Sequence, residues 1–283
     1  MNATAGPGTL DATASPASPP ARGGGRRRRQ LAALFRLETR RNLLARRAAG
    51  LYVLAALPVA LVAALAVARA HGVGPLFGDP QSAAEVVAGI FDALILRTVI
   101  FFGCGWLFVA LVRGELATRS LHYIFLTPLP RASILLGKYG AGCAVSFLLF
   151  GGATLATLAL AGWPGGAGQT LAYLGIAILA CMAYGALFSL LGLLFVNPVF
   201  PILAVYGWEW INFLLPPLLQ RLSVLHYLQA LAPLPPAVHS IAFIAPPTTP
   251  AAAIATLLVL SAALVWLSAL RMRRVEVNYG QQE

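Results

Sequence analysis

From Tyr139 to Trp208 the chain runs for 70 residues without a single Lys, Arg, Asp or Glu, and from Leu222 to Leu270 for another 49. A membrane-crossing helix needs roughly 20 predominantly apolar residues, so these two stretches alone hold several crossings. Charge is scarce elsewhere too: 59% of the 283 residues are hydrophobic and 10% charged, against about 45–50% and about 25% in an average soluble domain. That leaves too few polar side chains to cover a water-facing surface. A soluble enzyme and a disordered polymer are both excluded as descriptions of the whole chain, which reads as an all-α, polytopic membrane protein.

The breaks between apolar runs predict six transmembrane helices. Span one covers about Leu51 to Ala68, with Pro58 inside it. Asp79-Pro80 is a helix start, with Asp as cap and Pro at the first helical position. The helix from Pro80 is expected to begin outside the bilayer, with Glu85 and Asp92 in water or head groups, to enter it near Phe91 and to end at Arg113. Span three covers about Tyr139 to Leu160, span four Leu171 to Val196 and span five Val199 to Leu215, the last two separated by Asn197-Pro198. The proline-rich stretch 216–250 predicts an external re-entrant hairpin. Span six covers Ala251 to Leu270, and Arg271-Met272-Arg273-Arg274 stops it.

The net charge is +11, and ten of the 20 basic residues precede Gly50. No aromatic residues interleave with Arg26–Arg29, so this run is expected to anchor on anionic head groups and not on nucleic acid. Residues 1–29 predict a disordered tail, 30–275 the six-span transmembrane domain, and 276–283 a second tail. With both termini on the cytoplasmic side of a cell membrane, 17 of the 20 basic residues fall on that side, as the positive-inside rule requires. Ahead of span one, Gln30 to Arg47 predicts an interfacial helix with Leu31, Leu34 and Phe35 on one face and Arg36, Arg40 and Arg47 on the other. Glu38 falls near its apolar face. It is expected either to pair locally with Arg41 or Asn42 or to contact another subunit.

Catalytic constellations are missing. Gly137-Lys138 has Ala132 where a phosphate-cradling loop wants its first Gly, and Tyr139 where it wants Ser or Thr. No HExxH or GxSxG occurs, and the four histidines show no metal-ligand spacing. Cys104, Cys143 and Cys181 each stand alone in apolar sequence and read as small buried hydrophobes. No catalytic, cofactor or metal residue is assigned to this chain.

The most specific motif lies between spans two and three. It reads Glu115-Leu116-Ala117-Thr118, and then Leu126-Thr127-Pro128-Leu129-Pro130-Arg131-Ala132-Ser133-Ile134-Leu135-Leu136-Gly137-Lys138. This resembles the cytoplasmic segment between the second and third spans of the permeases of the ABC type-2 transporter family. Those show an acidic residue and Gly-Thr after span two, then Thr-Pro, an aliphatic residue, any residue, Arg, and a Gly-Lys opening span three. Ala117 stands here where Gly is usual, and the gap from Thr118 to Pro128 is longer than the family pattern. Six spans, an amino-terminal interfacial helix and a hairpin before span six are also similar to that family. The resemblance implies a permease subunit of an exporter, paired with a second copy or a related permease, with an ATP-binding cassette ATPase docked beneath it. ATP and Mg would then sit on the ATPase. It implies docking roles for Glu115, Thr118, Arg119, Pro128, Arg131 and Lys138. Independently of it, Pro128 and Pro130 break the helix, and the four charges of the connector fit either an ordinary positive-inside loop or an interface for a soluble partner.

Within the spans, Glu209 stands mid-way along span five between Trp208 and Trp210. An acid at such depth costs roughly 2.5–3.5 kcal/mol on insertion scales, which marks it as a functional candidate. It either lines a pathway, pairs across an interface, carries a proton, or sits near the interface as a structural residue. Arg97 is expected to snorkel outward or meet Asp92. Small pairs at four-residue spacing (Gly140 and Ala144, Gly152 and Ala156, Gly185 and Ser189) predict close helix packing. Two other functional classes fit the sequence: a non-transporting membrane scaffold, and an ion-coupled transporter using Glu209.

Overall fold

A computed structural model describes residues 23–44, 48–71, 80–117, 131–163, 165–233 and 248–273. All regular structure among them is helical. In chain order the helices are α1 (Gly23–Leu44), α2 (Ala48–Ala70), α3 (80–117), α4 (131–160), α5 (Gly166–Leu194), α6 (Val199–Ile211), α7 (Pro217–Gln220), α8 (Val224–Gln229) and α9 (Pro250–Arg273). Both α3 and α4 run unbroken through a π-helical stretch, Phe91–Ile100 in one and Phe147–Gly151 in the other. Of the expected connector, residues 118–130 lie outside the described residues, as do Asp79 and the hairpin residues 234–247.

Among the described residues five helices are long and apolar enough to cross a membrane: Ala48–Ala70, Ala84–Gly114, Ala132–Leu160, Gly166–Leu194 and Pro250–Met272. The sixth expected segment, α6, has 13 residues. At 1.5 Å per residue it measures about 20 Å, short of a hydrocarbon core of about 30 Å. Pro198 caps its start, and after a single turn of 3-10 helix the chain is extended at Leu215 and Pro216. The residues expected to form a longer span five therefore leave the helix after Ile211.

Two helices form the centre. The apolar windows of α3 and α5 are 67% buried, whereas those of α2 and α9 are 22% buried and turn Val53, Leu57, Val259 and Trp266 outward. Small residues allow this: Ala177, Ala180, Ala183 and Ala186 of α5 are all fully buried, so neighbouring helices approach its backbone. Phe101 of α3 fills the junction, with the rings of Tyr184, Phe188 and Tyr206 at 5.2, 5.0 and 5.3 Å. Between α4 and α5 the chain reverses through a Schellman cap. Gly162 takes φ +81°, its N–H bonds to Ala159 at 3.0 Å, and the Trp163 N–H bonds to Leu158 at 2.9 Å.

Helix α1 begins at Gly23, ahead of the Gln30 start expected from its amphipathy, so Arg26–Arg29 belong to the helix and not to a disordered tail. Arginine is a strong helix former and needs no packed face to extend one. The side of α1 against the bundle is Leu34, Glu38 and Asn42, with Glu38 the deepest, while Leu37 and Leu44 are exposed. A second difference concerns Asp92, which the sequence placed in water or head groups. It is 6% exposed, whereas Glu85, two turns earlier, is exposed as expected.

The expected small-residue contacts divide. Gly185 meets the Phe108 ring so closely that a Cβ would stand 2.5 Å from it, but Gly152 has open space around its Cα. A tight approach between helices lies outside the four-residue pattern: a Cβ on Gly103 of α3 would stand 2.0 Å from Phe150 of α4. Gly103→Ala is expected to destabilise the protein by about 1–3 kcal/mol through overpacking, while Gly152→Ala leaves the unfolding temperature in detergent unchanged or raised. Equal effects of the two substitutions would show that the α3–α4 approach is not as described.

Candidate functional site

Two buried sets of charged side chains lie on α3, one near each end. The outer set depends on the π-helical stretch Phe91–Ile100. In an α-helix, residues five apart point about 140° away from each other. A π-helix bonds each residue to the one five positions on, bringing such pairs onto one face. Asp92 and Arg97 are five apart, and Arg97 Nε donates to Asp92 Oδ2 at 3.2 Å, both side chains being under 10% exposed. The Thr98 hydroxyl likewise donates to the Ala93 carbonyl, five residues back.

The same cluster fastens the segment after α6. Arg97 Nη1 donates to the carbonyl oxygen of Glu209 at 3.3 Å, and its guanidinium lies 5.3 Å from the Trp210 ring centre. Gln229 Nε2, at the end of α8, donates to Asp92 Oδ1 at 2.7 Å. The Glu209 carboxylate, 4% exposed, closes the loop. It accepts from the Ser223 hydroxyl, from the Val224 N–H at 3.1 Å and from the Leu225 N–H at 3.2 Å. These are the otherwise unpaired donors opening α8, and a carboxylate is favoured there. Glu209 is thus two residues from the end of α6 and serves as the anchor that folds 217–229 back against it.

The inner set joins three helices. Lys138 Nζ of α4 donates to Glu38 Oε1 of α1 at 3.0 Å and to the Leu111 carbonyl of α3 at 3.4 Å. Both charged side chains are 3–4% exposed. Asn42, one expected partner of the Glu38 side chain, instead donates to the Glu38 carbonyl at 2.8 Å. Just beside this set, Arg113 Nη1 donates to the Phe195 carbonyl at 2.9 Å. The segment from Phe195 to Glu209 thus touches α3 at Arg113 and again at Arg97, 16 residues apart, or about 24 Å along the helix.

The residues singled out from sequence fall into three groups. Glu38, Lys138 and Glu209 are buried and engaged as described, Glu38 and Lys138 with each other. Glu115 lies in the last turn of α3 and Arg131 opens α4, so both flank the connector. Thr118, Arg119 and Pro128 lie outside the described residues. Ser223 and Gln229 were missed. Ser223 had a legible signal, a serine directly before the apolar Val224-Leu225, which is a helix-start pattern; Gln229 had none. Cys104 and Cys181 are buried and Cys143 half-buried, all three as free thiols. Among the described residues no group of three or more His, Cys, Asp or Glu side chains gathers into a metal site. Comparison with known protein families and with curated proteins finds no match to this chain.

In both buried sets every charge has an opposite charge or a set of hydrogen-bond donors. What the two arrangements do is fix helices to α3. Removing one partner of a buried pair leaves an uncompensated charge and costs about 3–5 kcal/mol, whereas replacing both by apolar side chains is often neutral. Lys138→Met is therefore expected to lower the unfolding temperature sharply, and Glu38→Leu added to it to restore most of the loss. A double variant no more stable than Lys138→Met alone would contradict the pairing.

Proposed function

We propose that this chain is the membrane-spanning permease subunit of an ATP-binding cassette exporter, working with a separate ATPase and with a second copy or a related permease. The observation that carries the proposal is the buried Lys138–Glu38–Leu111 junction. It joins the surface helix α1, the end of α3 and the start of α4 at the root of the connector. A pathway that hydrolyses nothing itself needs such a stiff base to receive work from a soluble motor. The connector's resemblance to ABC type-2 permeases, with Thr127-Pro128, Arg131 and Gly137-Lys138 in place, supports the same role.

In this proposal α6 is a short fifth crossing. The segment from Phe195 to Glu209, which includes most of α6, covers about 24 Å of α3 between Arg113 and Arg97, and the 217–229 segment fills the remaining depth on the outer side. Six crossings put both termini in the cytoplasm, where 17 of 20 basic residues then lie. Glu115, Thr118, Arg119, Pro128 and Arg131 form the docking surface, and Lys138 stiffens it from within. ATP and Mg bind the partner, not this chain. The full engagement of the Glu209 carboxylate by three donors supports a structural task for it over ion coupling. The apolar character of the spans favours an amphipathic or lipid-like cargo.

The full-length chain purified in mild detergent is expected to bring with it an ATPase carrying a Walker motif; recovery of none would overturn the proposal. Glu115→Lys is expected to weaken that association at least about tenfold, the equivalent of one charged hydrogen bond, in a titration of the permease with the ATPase. Unchanged affinity would remove Glu115 from the docking surface.

A further inference from the structure

Beside the Lys138 charge junction lies a shallow, open-sided cleft between α1, α2, α3 and α4. Its polar side carries Arg41 and Asn42 of α1 and the Glu38–Lys138 pair, and its apolar wall includes Leu51, Trp106 and Ala110. Three features define what fits there. Glu38 and Lys138 neutralise each other, so the net charge of the cleft is the single positive charge of Arg41, which forms no ion pair among the described residues. Arg41 is exposed on α1. Trp106, just over two turns before Gly114 on α3, is 61% exposed although it sits in an apolar span. A cation at the interface and, below it, an uncovered indole and small apolar side chains match a molecule with an anionic head and hydrocarbon tails.

We propose that this cleft is a binding site for one anionic glycerophospholipid, its phosphate on Arg41 and its upper acyl chain along Trp106 and Ala110. The inference depends only on the chain lying in a bilayer, not on the transport proposal. The hydrocarbon wall selects a lipid over a free anion, and Arg41 selects an anionic lipid over a zwitterionic one. The bound lipid packs against α1, α2 and α3 beside the Lys138 junction, so lipid composition would tune the stiffness of the connector's base.

The test is quenching of Trp106 fluorescence by brominated lipids in vesicles of phosphatidylcholine containing the full chain. The Trp106 contribution is the difference between wild type and Trp106→Phe; Trp266, 65% exposed on the outer side of α9, reports nonspecific lipid contact. At equal mole fraction, brominated phosphatidylglycerol is expected to quench Trp106 about fivefold more effectively than brominated phosphatidylcholine, the enrichment one basic residue gives. Arg41→Gln is expected to abolish that preference, and Arg40→Gln, an exposed residue outside the cleft, to preserve it. Equal quenching by the two lipids, or a preference that survives Arg41→Gln, overturns the proposal. Loss of the preference on adding inorganic phosphate, with chloride adjusted to constant ionic strength, also overturns it in favour of a free-anion site. Protection of Trp106 from both lipids would mean that another protein surface covers the cleft, and overturns it as well.

Discussion

A charged side chain inside an apolar helical bundle persists only where another group meets it, and this chain places its buried charges at two levels of one helix. Near the inner end of α3, Lys138 of α4 reaches the Leu111 carbonyl while held by Glu38 of α1. Near the outer end, Asp92 and Arg97 hold Gln229 and the Glu209 carbonyl. Each tie uses long-range partners, so α3 becomes the element to which the surface helix and the outer segment are both referred. The arrangement depends on local chemistry as much as on tertiary packing: without the π-helical stretch, Asp92 and Arg97 would point to different sides of α3.

Between the two ties, packing makes α3 and α5 behave as one body. Phe101 is enclosed by aromatic rings from α5 and α6, and Phe108 lies against the backbone of Gly142 and Gly185, where a Cβ would come within 3 Å of its ring. Such contacts leave no slack for sliding, because close-packed interiors transmit displacement and do not absorb it. A push delivered at the connector root would therefore reach the Arg97 level. The peripheral helices α2 and α9 turn most of their surface outward, where lipid or a partner subunit would meet them.

Much of this architecture is legible in the residues. The charge-free runs locate the long helices, since a bilayer admits only segments that satisfy their own backbone, but not all of their starts: the helix expected from Tyr139 begins at Arg131 and carries Lys138 inside it. The Asn197-Pro198 break and the stop at Arg271–Arg274 follow from the same rule. Charge pairing was only partly readable. Arg97 and Asp92 are neighbours in sequence, but Glu38 and Lys138 are 100 residues apart, and no periodicity encodes a contact between helices that first meet in the folded bundle. Glu209 was visible as an anomaly, whereas its task depends on Ser223 and the start of α8, which only the return of the chain brings near. The four-residue spacing of small residues found Gly185 but not Gly103, because close approach is set by which aromatic ring lies opposite and not by spacing along one helix.

The central claim is that the Lys138 junction makes α3 a stiff link between the end that carries α1 and the segment 217–229. Its most direct measurement is the spin–spin distance between labels at Arg40 on α1 and at Leu218, 77% exposed on α7, in a complex with the proposed ATPase partner. The account predicts a shift in that distance between the nucleotide-free and the ATP-locked complex. It also predicts loss of the shift in Lys138→Met while the ATPase still binds both permease and nucleotide. The same shift in Lys138→Met, or none in the native chain, would contradict it.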